Sequence, residues 1–321
     1  VHRPTGSRFA VGTVCALLAL LAACSAQPTD VDDATPRLKG ADLSRIQGSE
    51  AEQRQLFEAE ERLTADCMTD RGFRYRPNPW HGPSTAPADD PRDGDDVESR
   101  RRAGYGGASA VADEGESRGE DPNGVYVRSL ARDGQKAYMG ALYGTAHHKI
   151  SAPVPGGGVT FMYGDGCNGR AQQRLYGDLR RWMVARLVVA NLEPDINRGV
   201  LADRRVARAD AAWSRCMNTA GHAFPDPAKA RAAALRSGGG DGQEPHARRT
   251  GEAARASRRE IAIAVADARC DKAVGRAKLI RSLDGHYRDQ LARERAETLN
   301  TYRELRGRAL AALKASPGRE P

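Results

Sequence analysis

The stretch VTFMYGDGCNGRAQQRLYGD, residues 159–178, sets Gly164, Gly166 and Gly169 in G-x-G-x-x-G spacing between an apolar run and a helical pattern. In a dinucleotide site such glycines allow a tight turn, and pyrophosphate rests on free N–H groups at a helix N-terminus. RLVVANLE, 186–193, could add a second strand ending in an acid. Against this, no further βα units follow, and two strands do not make a doubly wound sheet. Cys167 also sits in the turn, and a bridge there would put cross-linked chain where pyrophosphate must lie. No cofactor is therefore expected. His147 and His148 with Asp165 could ligate a transition metal, but paired histidines in a Gly/Pro-rich loop read first as polar loop residues, so no metal is assigned. Glu58, Glu60 and Glu61 could offer the paired carboxylates of a glycosidase; among Gln and Arg on a helix they read as a solvated face. His81, His222 and His286 are isolated. There is no G-x-S-x-G elbow, H-E-x-x-H or P-loop, and no catalytic residue is assigned.

The N-terminal residues place this chemistry in a compartment. Arg3 and Arg8 precede an apolar run, Phe9 to Leu21, too short to span a bilayer. It ends in Leu21-Ala22-Ala23-Cys24, which resembles the lipobox of bacterial lipoproteins. That resemblance implies a signal peptide, 1–23, cut before Cys24. It also implies a diacylglycerol on the Cys24 thiol and an acyl chain, such as palmitate, on the new amine. Two acyl chains hold a protein on a bilayer where one is marginal. Residues 24–44 are polar and contain two prolines, as suits a tether. The expected location is the outer face of the cytoplasmic membrane, which has no nicotinamide supply and makes nucleic acid an improbable partner.

Of six cysteines, Cys15 would leave with the signal and Cys24 would carry lipid. Cys67, Cys167, Cys216 and Cys270 remain, and an even number in an exported chain implies two disulfides in one of three pairings. None has the spacing of a zinc site. ADCMTDRGFRYRP, from Ala65, and SRCMNTAGHAFPDP, from Ser214, repeat Cys-Met, a glycine five residues after the cysteine, an aromatic and a proline. Before each, apolar residues fall at helical spacing: Leu56, Leu63 and Cys67 in one, Val206, Trp213 and Cys216 in the other. Gly72 and Gly221 would then end their helices in the left-handed conformation. One further cysteine follows each motif. Two related modules, closed by Cys67–Cys167 and Cys216–Cys270, are the economical arrangement; cross-module pairings are the alternative.

The motifs CM…G, YVRSLARDGQKAYMGALYG (126–144), GC…LYGD (166–178), WSRCM (213–217) and IAIAVADARC (261–270) resemble uncharacterised secreted proteins and lipoproteins of actinobacteria. The resemblance covers most of the mature chain and brings no activity and no catalytic residue with it.

The elements that would position these residues are helices. The chain has 321 residues and is 5% aromatic, a mix that favours helices over a β-sandwich. The periodicity predicts helices over 45–70, from Ser129 to Gly144, over 170–192, and from Asp195 to about Thr219, with Glu193-Pro194-Asp195 as a break. His147–Gly158 reads as loop, 77–124 as disordered, and 226–250 as a loose link. From about Gly251 to Ala315 only Gly275, Gly285 and Gly307 could interrupt a helix, which unbroken would be roughly 90–100 Å long. Either it forms a coiled coil with a partner or it breaks near Asp284-Gly285 and folds back. Trp182, Trp213 and Met183 read as core. Residues 24–168 carry 17 Lys and Arg against 24 Asp and Glu; residues 169–321 carry 31 against 18. The basic half could attract anionic lipid headgroups, an envelope protein, an anionic wall polymer or the acidic half of its own chain.

The reading is a mainly α protein: helical modules cross-linked by disulfides, with a long C-terminal helix and sizeable disordered segments. A signal peptide (1–23) and lipidated tether (24–44) precede a first helical module (45–192, insert 77–124) and a second (193–321). Its expected role is that of a lipid-anchored, non-enzymatic binding or scaffold module. A cell-envelope hydrolase and a metal- or small-molecule-binding lipoprotein are the alternatives.

Overall fold

The computed structural model describes residues 38–82, 90–106, 121–236 and 258–315. Cys15, Cys24, the expected signal peptide and the tether up to residue 37 lie outside the described residues. The described residues form one compact unit. Its helices are α1 (Gly40–Leu43), α2 (Glu50–Asp70), α3 (Val97–Ala103), α4 (Pro122–Ser129), α5 (Arg132–Tyr143), α6 (Cys167–Tyr176), α7 (Leu179–Ala190), α8 (Leu192–Ala202), α9 (Arg204–Thr219), α10 (Pro227–Arg236), α11 (Arg258–Val274), α12 (Arg276–Glu294) and α13 (Ala296–Ala315). Strands β1 (Lys149–Pro153) and β2 (Val159–Tyr163) pair antiparallel, with Lys149 opposite Tyr163 and Pro153 opposite Val159.

The repeated Cys-Met motif is a helix stop. In α2 the Phe73 N–H donates to the Met68 carbonyl (3.0 Å) and the Gly72 N–H to Thr69 (2.9 Å); in α9 His222 donates to Met217 (2.9 Å) and Gly221 to Asn218 (3.1 Å). Both are Schellman closures, and both require their glycine, at φ +79° and +83°. The Met of each motif, Met68 or Met217, is fully buried under the turn. The cysteine before it, one residue further into the helix, reaches its partner: Cys67–Cys167 and Cys216–Cys270, both with Cα atoms 5.6 Å apart. Each bridge sits in a small apolar cluster of its own. Met68, Tyr138, Ala141, Leu142 and Cys167 surround the first. Tyr105, Trp213, Met217, Ala230, Ala234, Ile263, Ala264 and Cys270 surround the second. Between them the largest cluster joins α1, α2, α6, α7 and α8 to α12 and α13, so stretches 45–192 and 193–321 share one core. At its centre Trp182 stacks between Tyr176 and Tyr302, with ring centroids 3.5 and 5.3 Å away.

Several expectations are corrected. The long C-terminal stretch is three helices, broken at Gly275 (φ +70°) and Arg295 rather than near Gly285, which lies inside α12. The predicted helix over 170–192 breaks at Gly177, at φ +78°, and Asp178, whose side chain caps α7. Glu193-Pro194-Asp195 does not interrupt; it forms the first turn of α8, where proline removes no helical hydrogen bond. The break comes at Asp203, whose carboxylate caps α9 at Arg205. Ser129 ends α4 instead of opening a helix, and the 147–158 loop contains β1. Pro227–Arg236 of the expected loose link is helical, and the rest of that link lies outside the described residues. The tether reading stops at α1: Leu43 is buried, and the Gly40 N–H donates to Asp289 Oδ1 of α12 at 2.8 Å.

The expected disordered insert, 77–124, is corrected over 90–106; residues 83–89 and 107–120 lie outside the described residues. Arg92 pairs with Asp284 (2.9 Å), and Arg281 grips Asp95 with two hydrogen bonds (3.0 and 2.9 Å). The segment ends in Tyr105, only 1% exposed. Its hydroxyl donates to Asp267 Oδ2 and the Trp213 indole N–H to Asp267 Oδ1, both at 2.8 Å. The insert and the C-terminal helices thus exchange charges of both signs within one chain.

Burial pushes the Asp267 carboxyl up to about 6 from 3.8, although the Tyr105 and Trp213 hydrogen bonds and the Arg100 charge favour ionisation; Asp271 adds repulsion. The native state therefore holds this proton more tightly than the unfolded chain, so its contribution to stability is largest below pH 3.8 and declines as pH rises to about 6. Asp267→Asn keeps an acceptor for Trp213 and a donor for Tyr105. It is expected to stabilise the fold by up to about 3 kcal/mol at pH 8 and to leave it unchanged near pH 4. Urea unfolding of both proteins at the two pH values checks this; equal offsets at both would refute it.

Candidate functional site

The stretch GDGCNG links β2 to α6, and its glycines are packing residues. A Cβ on Gly169 would lie 2.6 Å from the Tyr163 carbonyl oxygen; one on Gly166 would lie 2.4 Å from the Gly144 N. A Cβ on Gly164 would lie 2.9 Å from Ile150 Cδ1. The space a phosphate would need beside α6 holds the C-terminal end of α5 and the end of β2, and Cys167 is bridged to Cys67. RLVVA is part of α7, not a second strand. The stretch is thus a packed turn between β2 and α6, without the free helix N-terminus or the second strand of a dinucleotide site.

The glycines bring separate charges together instead. Beside the first disulfide lies an open cleft of about 690 Å³, lined by Arg71, Lys136, Thr145, His148, Asp165 and Arg170 among others. Arg71, directly after α2, donates to the carbonyls of Asp165 (2.6 Å) and Ala141 (3.1 Å) and so fixes the floor. Asp165 accepts from the Thr145 N–H (2.9 Å) and hydroxyl (2.7 Å), and His148 Nδ1 lies 3.3 Å from its Oδ2. The two Thr145 hydrogen bonds hold its carboxyl down at about 2. Lys136 and Arg170 form no ion pair among the described residues and are exposed at the rim.

This geometry limits the chemistry. A nucleophilic relay needs imidazole between hydroxyl and carboxylate; here the carboxylate stands between Thr145 and His148. With its carboxyl at about 2, Asp165 is also a poor general base. Exposed cations around a fixed floor instead suit the binding of anionic groups. Of the two histidines proposed as ligands, only His148 reaches Asp165. Among the described residues no group of three or more His, Cys, Asp or Glu side chains could hold a metal.

Glu58 is exposed, but the solvated-face reading fails for its neighbours. Glu61 accepts from the Tyr75 hydroxyl (3.0 Å) and the Asn78 backbone (2.7 Å). Glu60 accepts from Gln172 (2.7 Å), and burial raises its carboxyl. Both fasten α2 to its surroundings. Trp182, Trp213 and Met183 are core residues as expected. Sequence reasoning missed Arg71, Lys136 and Arg170. Only Arg170 carried a local signal, a cation in the first turn of a helix that follows a glycine turn.

Comparison with protein-family models, with curated proteins and with solved structures finds no match to this chain. No helix among the described residues is long and apolar enough to cross a membrane.

Proposed function

We propose that this chain is a lipid-anchored, extracytoplasmic lipoprotein that serves as a non-enzymatic binding or scaffold module, held by Cys24 on the outer face of the cytoplasmic membrane. The observation that carries this reading is the pairing of all four cysteines downstream of the LAAC motif. Disulfides persist in oxidising compartments and are rare in a reducing cytosol. The motif itself supplies the anchor, and the resemblance to actinobacterial lipoproteins agrees with it. The cleft at His148 and Asp165 supports binding over hydrolysis, because its carboxylate is held by both Thr145 and His148. α13 is part of the core, so the basic C-terminal half is in large part engaged with its own chain.

Mass spectrometry of protein taken from native membranes tests the anchor. A mature N-terminal peptide starting at Cys24 and bearing a diacylglyceryl thioether is expected. An unmodified Cys24, or four free thiols downstream of it, would overturn the reading.

A further inference from the structure

Six large hydrophobic side chains are strongly exposed among the described residues, and four of them lie on two adjoining elements: Met139 (48%) and Tyr143 (52%) on α5, Val159 (71%) and Phe161 (52%) on β2. The hairpin explains its pair. Ile150, Ala152, Thr160 and Met162 share the face that packs on α7. The pleat then turns Lys149, Ser151, Pro153, Val159, Phe161 and Tyr163 outward. On α5 the residues 136, 139 and 143 fall at helical spacing, so Lys136 shares a face with Met139 and Tyr143. Gly144 joins the two elements: a Cβ on it would lie 2.7 Å from the Tyr163 Cβ, which places Tyr143 beside the end of the outward row.

Cations border this ridge. Lys149 Nζ sits 4.3 Å from the Phe161 ring centroid. Arg180 donates to the Ser151 carbonyl on β1. Lys136, Arg170 and His148 line the adjoining cleft. Residues 132–192 hold eight Lys and Arg against three Asp and no Glu. Two of these acids are internally engaged, Asp165 by Thr145 and Asp178 by the Arg181 N–H, and Asp133 is exposed in the cleft wall. Exposed aromatic and aliphatic side chains bordered by an excess of cations fit the boundary between acyl chains and acidic headgroups, where each Lys or Arg near the surface adds about 1 kcal/mol. A soluble polyanion would use the cations and leave Val159 and Phe161 without a role.

We infer that the outer face of the β1–β2 hairpin, with Met139 and Tyr143 of α5, docks on an anionic phospholipid bilayer. Val159 and Phe161 enter the interface, and Lys136, Lys149 and Arg170 meet lipid phosphates. The inference deepens the lipoprotein reading and rests on it for the presence of a membrane, but the contact itself is independent of the Cys24 lipid.

The test uses the chain from residue 24 with Cys24→Ser, which retains the whole compact unit, and vesicles of phosphatidylcholine with or without phosphatidylglycerol. Binding by sedimentation is expected only with phosphatidylglycerol and should fall as salt rises. The double variant V159D/F161D should bind at least tenfold more weakly. K149E should weaken binding about fivefold or more. L201D, on an exposed leucine outside this face, should change nothing. F161W, a conservative probe, should shift its emission to the blue on binding. Equal affinity of V159D/F161D and the parent, binding that ignores headgroup charge, or capture by soluble polyphosphate but not by vesicles would each overturn the inference. A lipidated Cys24 with no vesicle binding defeats this inference alone, whereas vesicle binding with an unmodified Cys24 defeats the anchor alone.

Discussion

Ending the chain at residue 295 is expected to abolish cooperative folding. The loss would remove α13, and with it Leu299, Tyr302, Leu305, Ala309 and Leu310 from the central cluster. Fully burying side chains of this kind contributes about 1.5–3 kcal/mol each for the larger ones, on the order of 10 kcal/mol together. Domains are stable by only about 5–15 kcal/mol. Two further contacts go with the helix. Tyr302 no longer covers Trp182. Arg306 no longer meets Glu52 (2.8 Å), the residue that closes the capping box of α2 with Ser49. A basic helical tail acting as an independent arm predicts the opposite, an intact core without α13. Thermal unfolding followed by circular dichroism separates the two. The truncated chain should show no sigmoidal transition, whereas a chain ending at residue 315 should unfold like the parent. A sharp transition within a few degrees of the parent would refute the integral role of α13.

The signals that were legible in the sequence are local ones. Cys-Met followed by glycine encodes a Schellman stop within about six residues, so Gly72 and Gly221 could be placed, and with them the cysteines that point from the last turn. Helix breaks without a strong breaker were not legible. Asp203 ends α8 by capping α9, an act that depends on Arg205 coming round to meet it. Pro194 has the look of a breaker and is harmless in a first turn. Residues 90–106 have the composition of a disordered segment, because their partners, Asp267, Arg281 and Asp284, lie more than 150 residues away. The candidate cleft was illegible for the same reason. Arg71, Lys136, His148 and Arg170 come from three helices and a turn, and tertiary contacts bring them to one place, among them the Cys67–Cys167 bridge, the Arg71 hydrogen bonds and the close Gly144–Gly166 approach. His148 and Asp165 were visible as chemistry-bearing residues, but their geometry, with Thr145 as the third member, was not.

Replacing Cys67 and Cys167 by alanine should have the next largest effect, and should be felt beyond the first cluster. The bridge spans 100 residues. In the chain-entropy treatment a loop of that size stabilises by about 4.7 kcal/mol, against about 4 kcal/mol for the 54-residue loop of Cys216–Cys270. Cys167 is fully buried and is the first residue of α6, whose other end places Tyr176 against Trp182 in the central core. The buried apolar neighbours left around the first bridge are Met68, Tyr138, Ala141 and Leu142, edged by the half-buried Phe73, Tyr75, Tyr126, Val127 and Leu130. They cannot hold α2 to α6 as firmly when the covalent link is gone. The expected result is a urea midpoint lowered by the equivalent of about 4–5 kcal/mol, with hydrogen exchange accelerated first at α5, α6 and the hairpin. The Cys216–Cys270 pair, removed alone, should shift the midpoint slightly less and open α9 and α11 first. Because the two bridges serve separate clusters joined only through the shared core, their losses should add nearly linearly. A double removal far less damaging than the sum would mean that one cluster is already open in the native protein, and the assignment of a separate stabilising role to each bridge would fall.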